Sequence, residues 1–124
     1  MQLIGDVRGR DVILSDHIID SGKSLCERVT LLKQAGCERV VASATHGIFS
    51  GRALQRISRS PLSDVVVTNT VPLREGVDTR DLHKLSQISV APLLASAIIR
   101  SQLDISLQPL KSARAIVADP VEHK

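Results

Sequence analysis

Aromatic side chains are almost missing from this sequence. Its 124 residues include one phenylalanine, Phe49, and no tyrosine or tryptophan. Base-stacking platforms need several rings, so that mode of nucleic-acid binding is excluded, and no familiar binding module takes its place. Long apolar runs are missing too: none approaches the roughly 18–20 residues that a membrane helix requires. No signal-peptide pattern opens the sequence. The expectation is therefore a cytoplasmic protein, or one of an organelle matrix, with neither nucleic acid nor membrane as a partner. The two cysteines, Cys26 and Cys37, match no metal-ligand spacing and read as buried or half-buried thiols in a reducing compartment. An excess of one charge is also lacking. Sixteen Lys and Arg stand against thirteen Asp and Glu, and the net charge of +3 favours anionic ligands only mildly.

What is present is the pattern of one α/β domain. Hydrophobic residues make up 43% and charged residues 23%, enough for a single core. Apolar, β-branched strands alternate with amphipathic helices. Strands are expected at 11–15, 39–44, 64–68 and 87–90. Helices are expected at 23–35, at 52–59, and from Pro92 to 102. A charge-rich connection spans 73–85, and a further strand is expected at 115–118. This alternation implies a mostly parallel sheet with helices on both faces. Residues 1–102 read as the domain and 103–124 as a poorly patterned tail.

In parallel α/β sheets, ligands sit beyond the carboxyl ends of the strands. The polar residues gather there. The first strand delivers Asp16, His17 and Asp20. The second delivers Thr45, His46 and Gly47, and the third Thr68, Asn69 and Thr70. The stretch Asp16-His17-Ile18-Ile19-Asp20-Ser21-Gly22-Lys23-Ser24 then enters a helix. N–H groups at a helix start attract an anion, and carboxylates beside them can hold hydroxyls or a hydrated divalent ion. Gly22-Lys23-Ser24 is not a P-loop, because His17 stands where that motif needs its first glycine. Asp16 and Asp20 also suit a helix cap and first turn, a purely structural role. His17 reads as a neutral loop histidine, and His83 and His123 as solvent-exposed. Phe49 reads as filling a hydrophobic gap or touching another subunit. Lys33, Arg52, Arg56 and Arg59 read as helix surface charges, with an anion-binding or intersubunit role as the alternative.

The same stretch resembles the ribose 5-phosphate loop of ribose-phosphate pyrophosphokinases, whose pattern is Asp-Asp-x-x-Asp-Thr-x-Gly-Thr. Gly5-Asp6-Val7-Arg8-Gly9-Arg10, Thr45-His46-Gly47-Ile48-Phe49-Ser50-Gly51 and Val65-Val66-Val67-Thr68-Asn69-Thr70 look like further signatures of that family. Ile88-Ser89 and the helix to Arg100 look like a fourth, all in the family's order. The resemblance implies an incomplete type I phosphoribosyltransferase-like fold, covering part of the family's C-terminal domain. It also implies formation of phosphoribosyl pyrophosphate from ATP and ribose 5-phosphate with Mg²⁺, for nucleotide biosynthesis, in a homo-oligomer. By position, Asp16, Asp20, Ser21, Gly22, Lys23 and Ser24 would bind ribose 5-phosphate. Asp16 and Asp20 would meet the metal indirectly. His17, Thr45, His46, Gly47, Thr68, Asn69 and Thr70 would line the pocket. ATP would bind mainly through an N-terminal domain that these residues do not include, so no catalytic residue is expected here and the chain alone should be inactive. His17 and Lys23 depart from the pattern, standing for an acid and a glycine. Those departures keep open a non-catalytic, synthetase-associated regulatory role. A base-specific phosphoribosyltransferase is the third possibility.

Overall fold

The computed structural model describes residues 3–75 and 83–111. Chain contacts divide it into two compact units, Met1–Ile88 and Ser89–Lys124. The first holds β1 (Asp11–Ile19), α1 (Lys23–Gln34), β2 (Arg39–Gly47), α2 (Ala53–Arg59), β3 (Asp64–Thr68) and β4 (Leu85–Ile88). The second holds α3 (Ala91–Gln102) and a short 3-10 turn at Gln108–Lys111. The strand expected at 115–118 lies outside the described residues.

All strand pairings are parallel, and the sheet order is β1-β2-β3-β4. A parallel α/β fold was the expectation, and it is what forms. Alternation decides which side chains meet the helices. Val40, Ala42 and Ala44 of β2 join Val65 and Val67 of β3 in one core with Leu25, Val29 and Leu32 of α1 and Ala53, Leu54 and Ile57 of α2. Val12, Leu14 and Leu85 pack against that core from the outer strands. The opposite sheet face stays open within this unit: Ile13 is 73% exposed and Ile88 58%. Its covering is incomplete.

Two strands run further than hydropathy suggests. β1 continues through Asp16 and His17 because Ile18 and Ile19 pair with His46 and Gly47. β2 likewise includes Thr45, His46 and Gly47, beyond the strand expected at 39–44. β4 sits two residues earlier than expected, since Leu85 pairs with Val65 and Ile88 with Thr68. Val90 instead becomes the boundary of α3, with Pro92 in the first turn, where its missing N–H costs nothing.

Gly47 explains why Phe49 can be buried. A Cβ at residue 47 would strike the Phe49 ring and lie 3.1 Å from Val67 Cγ2. Phe49 itself adopts a left-handed backbone, φ +52°, and is only 2% exposed. Its ring fills a gap under the sheet end, the first of the two roles expected for it. The carbonyl of Ile19 accepts N–H bonds from Ile48 and Phe49 at 2.9 and 3.2 Å, clasping the ends of β1 and β2 together. That clasp fixes where the next residue, Asp20, leaves the sheet.

Candidate functional site

The loop between β1 and α1 begins at that clasp. Gly22 takes a left-handed conformation, φ +68°, and stands at the N-terminal boundary of α1. The backbone thus needs its glycine at residue 22, while Lys23 is already helical and exposed. No side chain caps α1, and its first turn holds no acid. The Gly22 carbonyl accepts the Cys26 N–H at 3.0 Å. Among the described residues, the N–H groups of Ser24 and Leu25 find no acceptor, and Lys23 N–H has only a long 3.4 Å contact to Ser21 Oγ. Three donors at the positive end of a three-turn helix, beside two hydroxyls and an ammonium, are groups that could hold an anion. Arg56 reaches over from α2 and donates to the Ser21 carbonyl, bracing the loop from behind.

The two carboxylates differ, Asp16 lying in β1 and Asp20 in the loop after it. Asp20 is exposed and has no partner among the described residues. Asp16 is spoken for: Arg28 Nη2 donates to its Oδ2 at 2.9 Å, and the His17 N–H donates to its Oδ1 at 2.9 Å. The Arg28 hydrogen bond, then that of His17, holds the Asp16 carboxyl below the ordinary carboxylate value. Arg28 escaped sequence reading. It lies twelve residues from Asp16, and only the packing of α1 beside β1 brings them together.

Thr45, His46, Thr68 and Thr70 do converge, at the ends of β2 and β3. Thr68 Oγ1 lies 2.7 Å from the Thr45 carbonyl and 2.9 Å from Thr70 Oγ1. His46 Nδ1 lies 2.8 Å from Thr70 Oγ1. Thr70 Oγ1 also lies 3.2 Å from the Thr45 carbonyl, so the two hydroxyls and the His46 ring nitrogen form one cluster around that carbonyl. Asn69 N–H donates to the Ile88 carbonyl at 2.9 Å. A depression of about 220 Å³ runs beside this cluster, lined by Ser15, Asp16, Ser43, Thr45 and Thr68 among others. His17 is exposed on β1.

Residues 1–110 match the model of the phosphoribosyl synthetase-associated domain. The chain belongs to that family. A ribose-phosphate pyrophosphokinase of Nitrosomonas europaea is 41% identical over 110 residues, 89% of this chain and 34% of its own length. One from Helicobacter hepaticus is 46% identical over 100 residues, 81% of this chain and 31% of its own. The crystal structure of phosphoribosylpyrophosphate synthetase from Mycobacterium smegmatis superposes with a TM-score of 0.75 at 38% identity, covering 82% of this chain and 33% of that one. The chain thus spans about a third of the length of these relatives.

Within this member of the phosphoribosyl synthetase-associated family, the residues do not fit a resident Mg²⁺. No three His, Cys, Asp or Glu converge among the described residues. Asp16, one of the two carboxylates expected near a metal, already faces a guanidinium, which repels a dication. Asp20 alone remains open to an ion carried in by phosphoryl groups, the usual state of Mg²⁺.

Proposed function

We propose that this chain is the ribose 5-phosphate-binding portion of a ribose-phosphate diphosphokinase. In that reaction the C1 hydroxyl of the sugar attacks the β-phosphorus of ATP, giving phosphoribosyl pyrophosphate and releasing AMP. The observation that carries the reading is the start of α1: uncapped, free of acid, and directly after Asp20. Ser24 and Leu25 N–H, the Ser21 and Ser24 hydroxyls and Lys23 would hold the 5-phosphate. Asp20 would accept from the ribose hydroxyls, while Asp16, further back on β1, is held by Arg28. Such chemistry is mostly positioning and charge neutralisation, and this chain's share is to fix the sugar. The ATP-binding share, the homo-oligomer and a cytoplasmic location belong to the same reading.

Titration of the chain with ribose 5-phosphate, followed by amide NMR, should shift signals of residues 21–25 first. No shifts, or shifts confined elsewhere, would contradict the assignment. Incubated with ATP and the sugar phosphate, the chain by itself should release no AMP; measured release would refute that part. The Asp16–Arg28 pair favours a second reading, a regulatory member that keeps the fold without turnover. Under it the sugar phosphate would fail to bind even when the chain is folded.

A further inference from the structure

Arg52 and Arg59, at the two ends of α2, have no place in the sugar-phosphate site, and Arg56 between them meets it only at the Ser21 carbonyl. Arg52, Arg56 and Arg59 recur at helical spacing, so their side chains leave one face. That face borders a groove of about 450 Å³ whose other walls include Cys26, Thr30, Gln55 and Ser60. Among the described residues, no Asp or Glu lines it. Helix stability accounts for only part of the set. Arg56 and Arg59 lie in the last turn, where a cation suits the negative end of the helix, but Arg52 stands at the opposite boundary, against the positive end. Arg56 donates to the Ser21 carbonyl. The Arg52 and Arg59 side chains have no ion pair or hydrogen bond among the described residues.

We propose that this groove is a separate binding site for an oligophosphate, inorganic or the phosphate tail of a nucleotide. Guanidinium groups meet phosphoryl oxygens two at a time, and an unpaired cluster of them draws such anions from solution. Arg52 and Arg59 are seven residues apart, about 10 Å along the helix axis. A lone phosphate meets one of them, whereas linked phosphoryl groups reach both. The Gln55 amide of α2 supplies a further donor, while Thr30 on the facing wall and Ser60 already donate their hydroxyl protons to the Cys26 and Ile57 carbonyls. The half-buried Cys26 thiol, which burial pushes above its ordinary value, lies on that wall and serves as a reporter. This site stands independently of the sugar-phosphate reading.

The test uses inorganic tripolyphosphate as the probe. Calorimetry should show saturable binding to the wild-type chain and, for orthophosphate, affinity weaker by about tenfold or more. The Arg52→Gln/Arg59→Gln double variant should lose about tenfold or more in tripolyphosphate affinity with an unchanged melting curve, since both side chains are exposed. Should the double variant unfold, Arg52→Gln alone gives the same comparison. Tripolyphosphate should also slow alkylation of Cys26 but not of the buried Cys37. An ATP arm tells the two sources apart: binding as tight as tripolyphosphate supports a nucleotide, weaker binding supports the inorganic chain. No saturable binding, equal affinity in the arginine variants, or an equal loss with Ser24→Ala would overturn the site. The last result would place the anion at the start of α1 instead.

Discussion

Replacing Arg28 with glutamine removes one side of the Asp16 clasp, and its effect can be worked through. The ion pair is 2.9 Å long, with the two side chains 27% and 32% exposed. Charge centres about 4 Å apart attract by about 4 kcal/mol at an effective dielectric of 20. Desolvation and the ordering of a long side chain offset most of this, leaving a net coupling of about 1 kcal/mol. The pH dependence has a definite sign. Folding lowers the Asp16 pKa, because Arg28 and the His17 N–H favour the charged form. Its contribution is therefore fully present above the unfolded carboxylate value of about 3.9 and is lost as pH falls through the lower folded value. A double-mutant cycle of Arg28→Gln with Asp16→Asn, read by urea unfolding at successive pH values, measures the coupling. It should be about 1 kcal/mol at neutral pH and vanish in acid. A coupling near zero at neutral pH, or one that survives protonation of Asp16, would refute the clasp.

Four other outcomes follow from the geometry. Gly47→Ala should destabilise the chain by about 1–3 kcal/mol in the same unfolding assay, because its Cβ meets the buried Phe49 ring. Phe49→Ala should cost about 3–5 kcal/mol, the price of an emptied aromatic site. Thr70→Val should move the His46 ring nitrogen signals in NMR, because it removes the hydroxyl 2.8 Å from Nδ1, whereas unmoved signals would contradict that contact. Asp20→Asn should leave the melting temperature unchanged, since the carboxylate has no partner among the described residues.

Much of the architecture was legible in the sequence, and what was missed has physical causes. The β-branched run Val65-Val66-Val67 between polar turns marks β3 with its observed ends. Gly36 ends α1 one residue after its C-terminal boundary. β1 was read short because Asp16 and His17 interrupt the apolar run. A ladder, however, is built by backbone groups, and its pairing with β2 carries those polar residues along. The same ladder absorbed Thr45, His46 and Gly47. At the site, the cluster of strand-end hydroxyls was foreseeable from topology, because parallel strands deliver their ends together. The state of each group was not. That Asp16 is paired and Asp20 free depends on Arg28, which faces the strand only once α1 has packed. The glycine requirement at residue 22 likewise depends on a backbone angle that residue type alone does not show.

The measurement that bears most directly on the account is a calorimetric titration of the folded chain with ribose 5-phosphate, wild type against Asp20→Asn and Ser24→Ala. Saturable one-site binding should weaken by about tenfold or more in each variant, as expected when a hydrogen bond to a charged group is lost. A folded wild-type chain that takes up no sugar phosphate, or one whose affinity is indifferent to both substitutions, would contradict the claim that the β1–α1 loop seats it.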